Sequence, residues 1–225
     1  MNDQTNKTTT SPATDTYPSA YELAERIAKH LSGPARWLAN RRLDGDGDEL
    51  RDNADLVRDS DGARISLCVG GYRQEGRVTF RTNWPKYHDG TAFQPRAYPS
   101  ITCGAGRDAK GLAQEIERRL LVDYNPAYRA ALDAVRASDA AAGEAWSTAE
   151  RIGEAIGAEL PAANHRPRNG EAVQLHGGPE NLWRLSVHPG YDGSPATVRV
   201  EADDLDEKTA LRVLAVLAGN GEADR

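Results

Sequence analysis

The chain has 225 residues, of which 39% are hydrophobic, and a formal net charge of −6. That length suits one large domain or two small ones, and the apolar share lies below the ~45–50% of an average globular chain. The acidic balance argues against a uniformly basic nucleic-acid binder, and no apolar run approaches the ~18 residues of a membrane span.

Residues 1–17, MNDQTNKTTTSPATDTY, are almost all polar and are expected to form a disordered tail. No apolar stretch follows a basic start, so the segment does not read as a signal peptide. Ser19 and Glu22 form an S-x-x-E capping box, which starts a helix near Ala20 with Leu23, Ile27 and Leu31 on one face. Ser32-Gly33-Pro34 stops it, and Pro34 is expected to open a second short helix with Trp37 and Leu38 as its contacts. Asp44 to Asp61 holds eight acids against two arginines, a balance of −6, and reads as a solvated acidic loop (44–61).

Charge then reverses. Arg64 to Arg107 holds seven bases against two acids, a balance of +5. Strands are expected at Ile65–Val69, Val78–Thr82 and Ser100–Cys103, because apolar residues alternate there. Gly70-Gly71 and Gly76 mark the first connection, and a proline-rich loop, Trp84 to Pro99, marks the second. Alternation points Cys103 inward and Cys68 outward, so two free thiols and a reducing, cytoplasmic setting are expected. Asp108 caps a helix whose buried stripe is Leu112, Ala113, Ile116 and Leu120. Asp123-Tyr124-Asn125-Pro126 is expected to break the chain. A helical region, bent or folded back near Gly143, then runs to Leu160. Strands at Val173–Leu175, Trp183–Val187 and Val198–Val200 follow. Asp204 caps a last helix with Ala210, Val213, Leu214 and Leu217 inward.

Both halves thus read helix, three strands, helix. Ala24-Glu25-Arg26-Ile27 recurs as Ala149-Glu150-Arg151-Ile152, and Gly70-Gly71 as Gly177-Gly178. The loop from Pro85 to Gly90 recurs as Pro189 to Gly193, and Asp108-Ala109-Lys110 as Asp206-Glu207-Lys208. The expected fold is α+β: two duplicated αβββα units, each a three-stranded antiparallel sheet covered by helices on one face. They occupy 18–124 and 144–219, with a helical connector at 125–143 and a frayed tail at 220–225.

Residues out of phase with the core include Arg64, Arg77 and Arg81 in the first half and Arg184 and Arg199 in the second. Arginines on an open sheet face suit phosphate contacts, and Trp84 and Tyr87, beside Lys86, suit stacking on bases. A non-enzymatic binding protein contacting nucleic acid through this face is the leading expectation. The alternative is a protein-interaction module that modulates a host protein through the connector or the acidic loop. A hydrolase would need His88, Asp89, His188 and Asp192 to converge, but the Tyr-Asp-Gly segments satisfy ordinary turn chemistry. Asp44-Gly-Asp-Gly-Asp48 opens like a calcium loop with Asp55 at its twelfth place, yet Glu49 and Arg51 replace the glycine and aliphatic such loops need. No C-x-x-C, H-x-x-x-H or glycine-rich phosphate loop occurs, so no cofactor and no metal are expected.

The order helix, three strands, helix is similar to that of double-stranded-RNA-binding domains. The basic cluster that opens their last helix is missing at Arg107-Asp108-Ala109-Lys110, so their function is not carried over. The segment SITCGAGRDAKGLAQEIERRLLVDYNPAY, Ser100 to Tyr128, resembles a family of uncharacterised proteins of actinobacteria and their phages and plasmids. That resemblance implies an accessory protein and supplies no site residues.

Overall fold

The computed structural model describes residues 18–70, 76–158, 160–161, 170–177, 183–190, 194–202 and 207–217. The expected tails, the Gly71 and Gly178 turns, Asp204 and Tyr191–Gly193 lie outside the described residues. The chain is α+β and divides into two compact units. One comprises residues up to Asn83 together with Arg96–Pro126; the other comprises Trp84–Pro95 and everything from Ala127.

In the first unit, α1 (Ala20–Ala28) begins at Ser19 with the expected capping box. The Glu22 amide donates to the Ser19 hydroxyl at 3.2 Å, and the Ser19 amide donates to the Glu22 carboxylate at 3.1 Å. Five strands follow: β1 (Trp37–Leu43), β2 (Glu49–Arg58), β3 (Arg64–Val69), β4 (Arg77–Asn83) and β5 (Ser100–Gly104). They form one antiparallel sheet whose order is that of the chain. Register aligns Leu56, Ile65 and Thr82 in one inner row and Ala54, Leu67, Phe80 and Ile101 in the next, all buried. The apolar stripe Ala20, Leu23, Ala24 and Ile27 of α1 is buried too, and α1 packs on β1, β2 and β3. α2 (Ala109–Ile116) adds Leu112, Ala113 and Ile116, and its N-cap is Asp108, whose Oδ1 accepts from the Gly111 amide at 2.8 Å.

Two expectations fail in this unit for one reason: polar residues conceal a two-residue period. Pro34 opens no helix. Trp37 faces the core and Leu38 faces out, as β1 requires. The acidic segment is not one loop either; most of it is strand, and within it only Asp44–Asp48 and Asp59–Asp61 turn the chain. In the first turn the Asp44 carboxylate accepts from the Asp46 and Asp48 amides at 3.0 and 2.9 Å, and Gly47 takes φ 90°. Asp55 lies opposite Asn40, far along β2 from this turn, so Asp44 and Asp55 do not share a site.

Arg58 ends β2 on the inner face. It donates twice to Asp61 at 2.8 Å and once to the Asn125 side chain at 2.6 Å, and it lies 5.3 Å from the Trp37 ring centroid. Tyr124 is fully buried; its hydroxyl donates to the Asn83 carbonyl at 2.6 Å and accepts from the Arg64 amide at 3.3 Å. The stretch expected to break the chain therefore locks it to the sheet.

A π-helical segment, Glu117–Leu121, follows α2 and leads directly into α3 (Val122–Ile156), with Pro126 inside. The helix is continuous through Pro126 and Gly143, so neither the expected break nor a fold-back occurs. A proline lacks the amide of a normal helical bond and its ring crowds the carbonyl four residues back, here Val122; the π-helical segment ends at Leu121, immediately before that residue.

In the second unit, β6 (Val173–Gly177), β7 (Trp183–His188) and β8 (Thr197–Ala202) form the expected three-stranded antiparallel sheet. Ala145, Trp146, Ala149 and Ile152 of α3 share a core cluster with Val173, Leu175, Leu185 and Val187. α4 (Glu207–Leu217) departs from expectation, because Leu214 is 59% exposed, as is Leu211 beside it at 58%. The sheets have five and three strands, not three each. The two additional strands are the hairpin β1–β2, which lies in the chain between the first helix and the first of the expected strands.

Candidate functional site

The outer face of the five-stranded sheet carries the residues that alternation set aside. Register gives one row of Leu38, Val57, Arg64 and Asn83, and a second of Asn40, Asp55, Ser66, Arg81 and Ser100. A third holds Asn53, Cys68, Thr79 and Thr102, and Arg77 stands opposite Gly104 at the end. Arg64, Arg77 and Arg81 therefore do share a face. Arg77 and Arg81 are four residues apart on one strand, roughly 13 Å at the usual rise per residue.

The centre of this face is a carboxylate. Asp55 is only 5% exposed. It accepts from the Ser66 hydroxyl at 2.7 Å, and the Arg64 guanidinium lies 3.5 Å from its other oxygen. The Asn83 side-chain Nδ2 donates to the same Ser66 hydroxyl at 2.8 Å, and Thr79 and Thr102 pair at 3.2 Å. Arg64 is thus partly satisfied, whereas Arg77 and Arg81 are exposed and make no ion pair among the described residues.

The remaining expected site residues lie elsewhere. Trp84, Lys86 and Tyr87 belong to the second unit. Lys86 is exposed and bridges Ala92 in a small hairpin. The Trp84 and Tyr87 rings tilt against Phe93 at 6.2 and 6.4 Å, so both side chains pack their own loop. Asp139 fixes that loop to α3, accepting from the His88 amide at 3.1 Å with the His88 ring nitrogen Nδ1 at 2.9 Å. Arg184 and Arg199 are exposed on the face of the second sheet that carries Ser186; Arg199 stands directly opposite Ser186, and Arg184 lies two residues before it on β7.

A second cationic group was not singled out from the sequence. Glu115, whose side chain is only 16% exposed, receives Arg118 at 3.0 Å, Arg119 at 3.2 Å and Arg107 at 3.5 Å. The Arg119 guanidinium, followed by Arg118 and Arg107, holds the Glu115 carboxyl below its ordinary range. Burial pushes the Cys103 thiol up; Glu115 reinforces this, while Arg119, Arg107 and Arg77 oppose it. Arg77 thus lies within electrostatic reach of the point where the other arginines gather. The spacing of Glu115 three and four residues before Arg118 and Arg119 is a legible helical pairing signal; Arg107 joins only through the fold.

The chain matches no family model, no curated protein and no solved structure. The site must therefore be read from its own chemistry. Among the described residues no group of three or more His, Cys, Asp or Glu side chains is placed to hold a metal ion, and no helix is long and apolar enough to cross a membrane.

Proposed function

We propose that the protein is a cytoplasmic, non-enzymatic accessory protein that contacts nucleic acid through the outer face of its five-stranded sheet. The observation that carries this reading is the pair Arg77 and Arg81, exposed on one strand and making no ion pair among the described residues. Their spacing matches about four steps of a stacked strand at 3.4 Å per step. Arg64 is a weaker contributor, because Asp55 already engages it. The accessory role follows from the resemblance of Ser100–Tyr128 to proteins of actinobacteria and their phages and plasmids. Fluorescence anisotropy with single- and double-stranded oligonucleotides at two salt concentrations tests the reading. Salt-sensitive binding that is lost in R77E/R81E supports it; binding that ignores either change refutes it.

One observation favours a second reading, a module that binds a host protein. β1 is an edge strand, and beside it a groove of about 620 Å³ is lined by residues including Tyr21, Lys29, Pro34 and Trp37. An open edge pairs readily with an extended segment of a partner. Removing the hairpin turn at Asp44–Asp48 and comparing the proteins retained from a host lysate separates the two readings.

We also read the two halves as copies of one unit, the first enlarged by the β1–β2 hairpin. Ala20, Leu23, Ala24 and Ile27 are buried as Ala145, Thr148, Ala149 and Ile152 are, each 125 residues on. The Tyr21 hydroxyl donates to Glu25 at 3.0 Å, and the Trp146 indole donates to Glu150, at the same offset, at 2.7 Å.

A further inference from the structure

Three guanidiniums gathered on one carboxylate are an unusual surface arrangement. Each guanidinium has about five N–H donors, and a carboxylate offers about four acceptor sites. Arg118 reaches both Glu115 oxygens through a single nitrogen, Arg119 reaches one, and Arg107 stands 3.5 Å off. Most of the donors therefore point elsewhere, and the cluster keeps a net charge of +2. Glu115 does two things: it offsets repulsion among the cations and fixes their positions before any ligand arrives. Arg118 and Arg119 sit in the π-helical segment, a feature frequent at functional sites. Arg107 lies in the turn between β5 and α2, where a Cβ at Gly104 or Gly106 would meet nothing within 4 Å. A ligand can therefore approach that backbone closely. Arg77, opposite Gly104, extends the positive surface from this cluster onto the sheet face.

We propose that Arg107, Arg118 and Arg119, held by Glu115, form a phosphodiester-binding site that anchors a nucleic-acid backbone at the β5 end of the first unit. This rests on the nucleic-acid reading above and adds a site which that reading does not contain. Guanidiniums suit it because their planar donor pairs match two oxygens of one phosphate.

The test uses the full chain and a fluorescein-labelled single-stranded 20-mer, as phosphodiester and as uncharged methylphosphonate, across a salt series. R107A/R118A/R119A is expected to bind the phosphodiester about tenfold or more weakly at low salt. Its slope of log affinity against log salt should be shallower by about two, at ~0.7 per phosphate contact on a single strand. The methylphosphonate should bind weakly to every form. An unchanged slope in the triple variant, with binding lost only in R77E/R81E, overturns this site and leaves the sheet-face reading intact. Binding lost in the triple variant but kept in R77E/R81E supports this site and overturns the sheet face. Equal binding of the methylphosphonate overturns the site, and no binding by the unmodified protein overturns both. If circular dichroism shows the triple variant misfolded, R118A carries the same test, because that side chain is 69% exposed.

Discussion

Replacing Asp61 by alanine removes the carboxylate beneath a buried cation. The Arg58 side chain is 8% exposed and makes three hydrogen bonds, two of them to Asp61. In D61A only the Asn125 hydrogen bond and the Trp37 ring remain beside Arg58, the positive charge stays in place, and the Ala63 amide loses its 3.1 Å acceptor as well. Breaking a buried ion pair by removing one partner costs about 3–5 kcal/mol, because the survivor is left uncompensated. Hydrogen-exchange mass spectrometry reads this within the first unit, without requiring the whole chain to unfold as one. The slowest amides of β2 and β3 should exchange about 10² to 4 × 10³-fold faster, at about 1.4 kcal/mol per tenfold. The double variant R58M/D61A should recover most of that loss, because a flexible apolar side chain against Trp37 leaves no charge to solvate. A change below about fivefold in D61A, or no recovery in the double variant, would refute the argument that the buried charge requires its partner.

Removing the Tyr124 hydroxyl, as in Y124F, takes the partner from the Asn83 carbonyl and the Arg64 amide and should cost about 2–6 kcal/mol in urea unfolding, at about 1–3 per buried unsatisfied group. D108A deletes the α2 cap and should cost about 1 kcal/mol by the same measurement. A thiol reagent at neutral pH should modify half-exposed Cys68 well before Cys103, whose thiol is buried and raised; equal rates would contradict the packing. The Glu115 carboxyl should titrate by NMR below its ordinary value of 4.5 and move toward that value in R119A. Because the folded value is the lower one, the stabilisation is present above pH 4.5 and is lost as pH falls through the folded midpoint; a midpoint at or above 4.5 contradicts the cluster.

Local signals were legible. The Ser19–Glu22 box, the Asp108 cap and the alternation of Ile65 with Leu67 and of Val78 with Phe80 each depend on neighbours in sequence, and each stands in the fold. The Arg64, Arg77 and Arg81 face followed from the same two-residue period. What was hidden depends on distant partners. β2 carries few apolar residues, and its inward Arg58 is neutralised by Asp61 and held by Asn125, 67 positions away. No window around Arg58 contains that second contact. Asp55 belongs to the arginine face only because β2 pairs with β3, a register that the acidic run concealed. The continuous helix was missed because Asp123-Tyr124-Asn125-Pro126 and Gly143 are local stop signals, and a π-turn carries no distinct periodicity to set against them.

The most direct test of the central claim is an amide chemical-shift titration of the isotopically labelled chain with a single-stranded oligonucleotide at low salt. The account predicts salt-reversible shifts concentrated at Arg77, Thr79, Arg81, Arg107, Arg118 and Arg119. Shifts confined to the edge strand β1 and its hairpin, or none at saturating oligonucleotide, would contradict it.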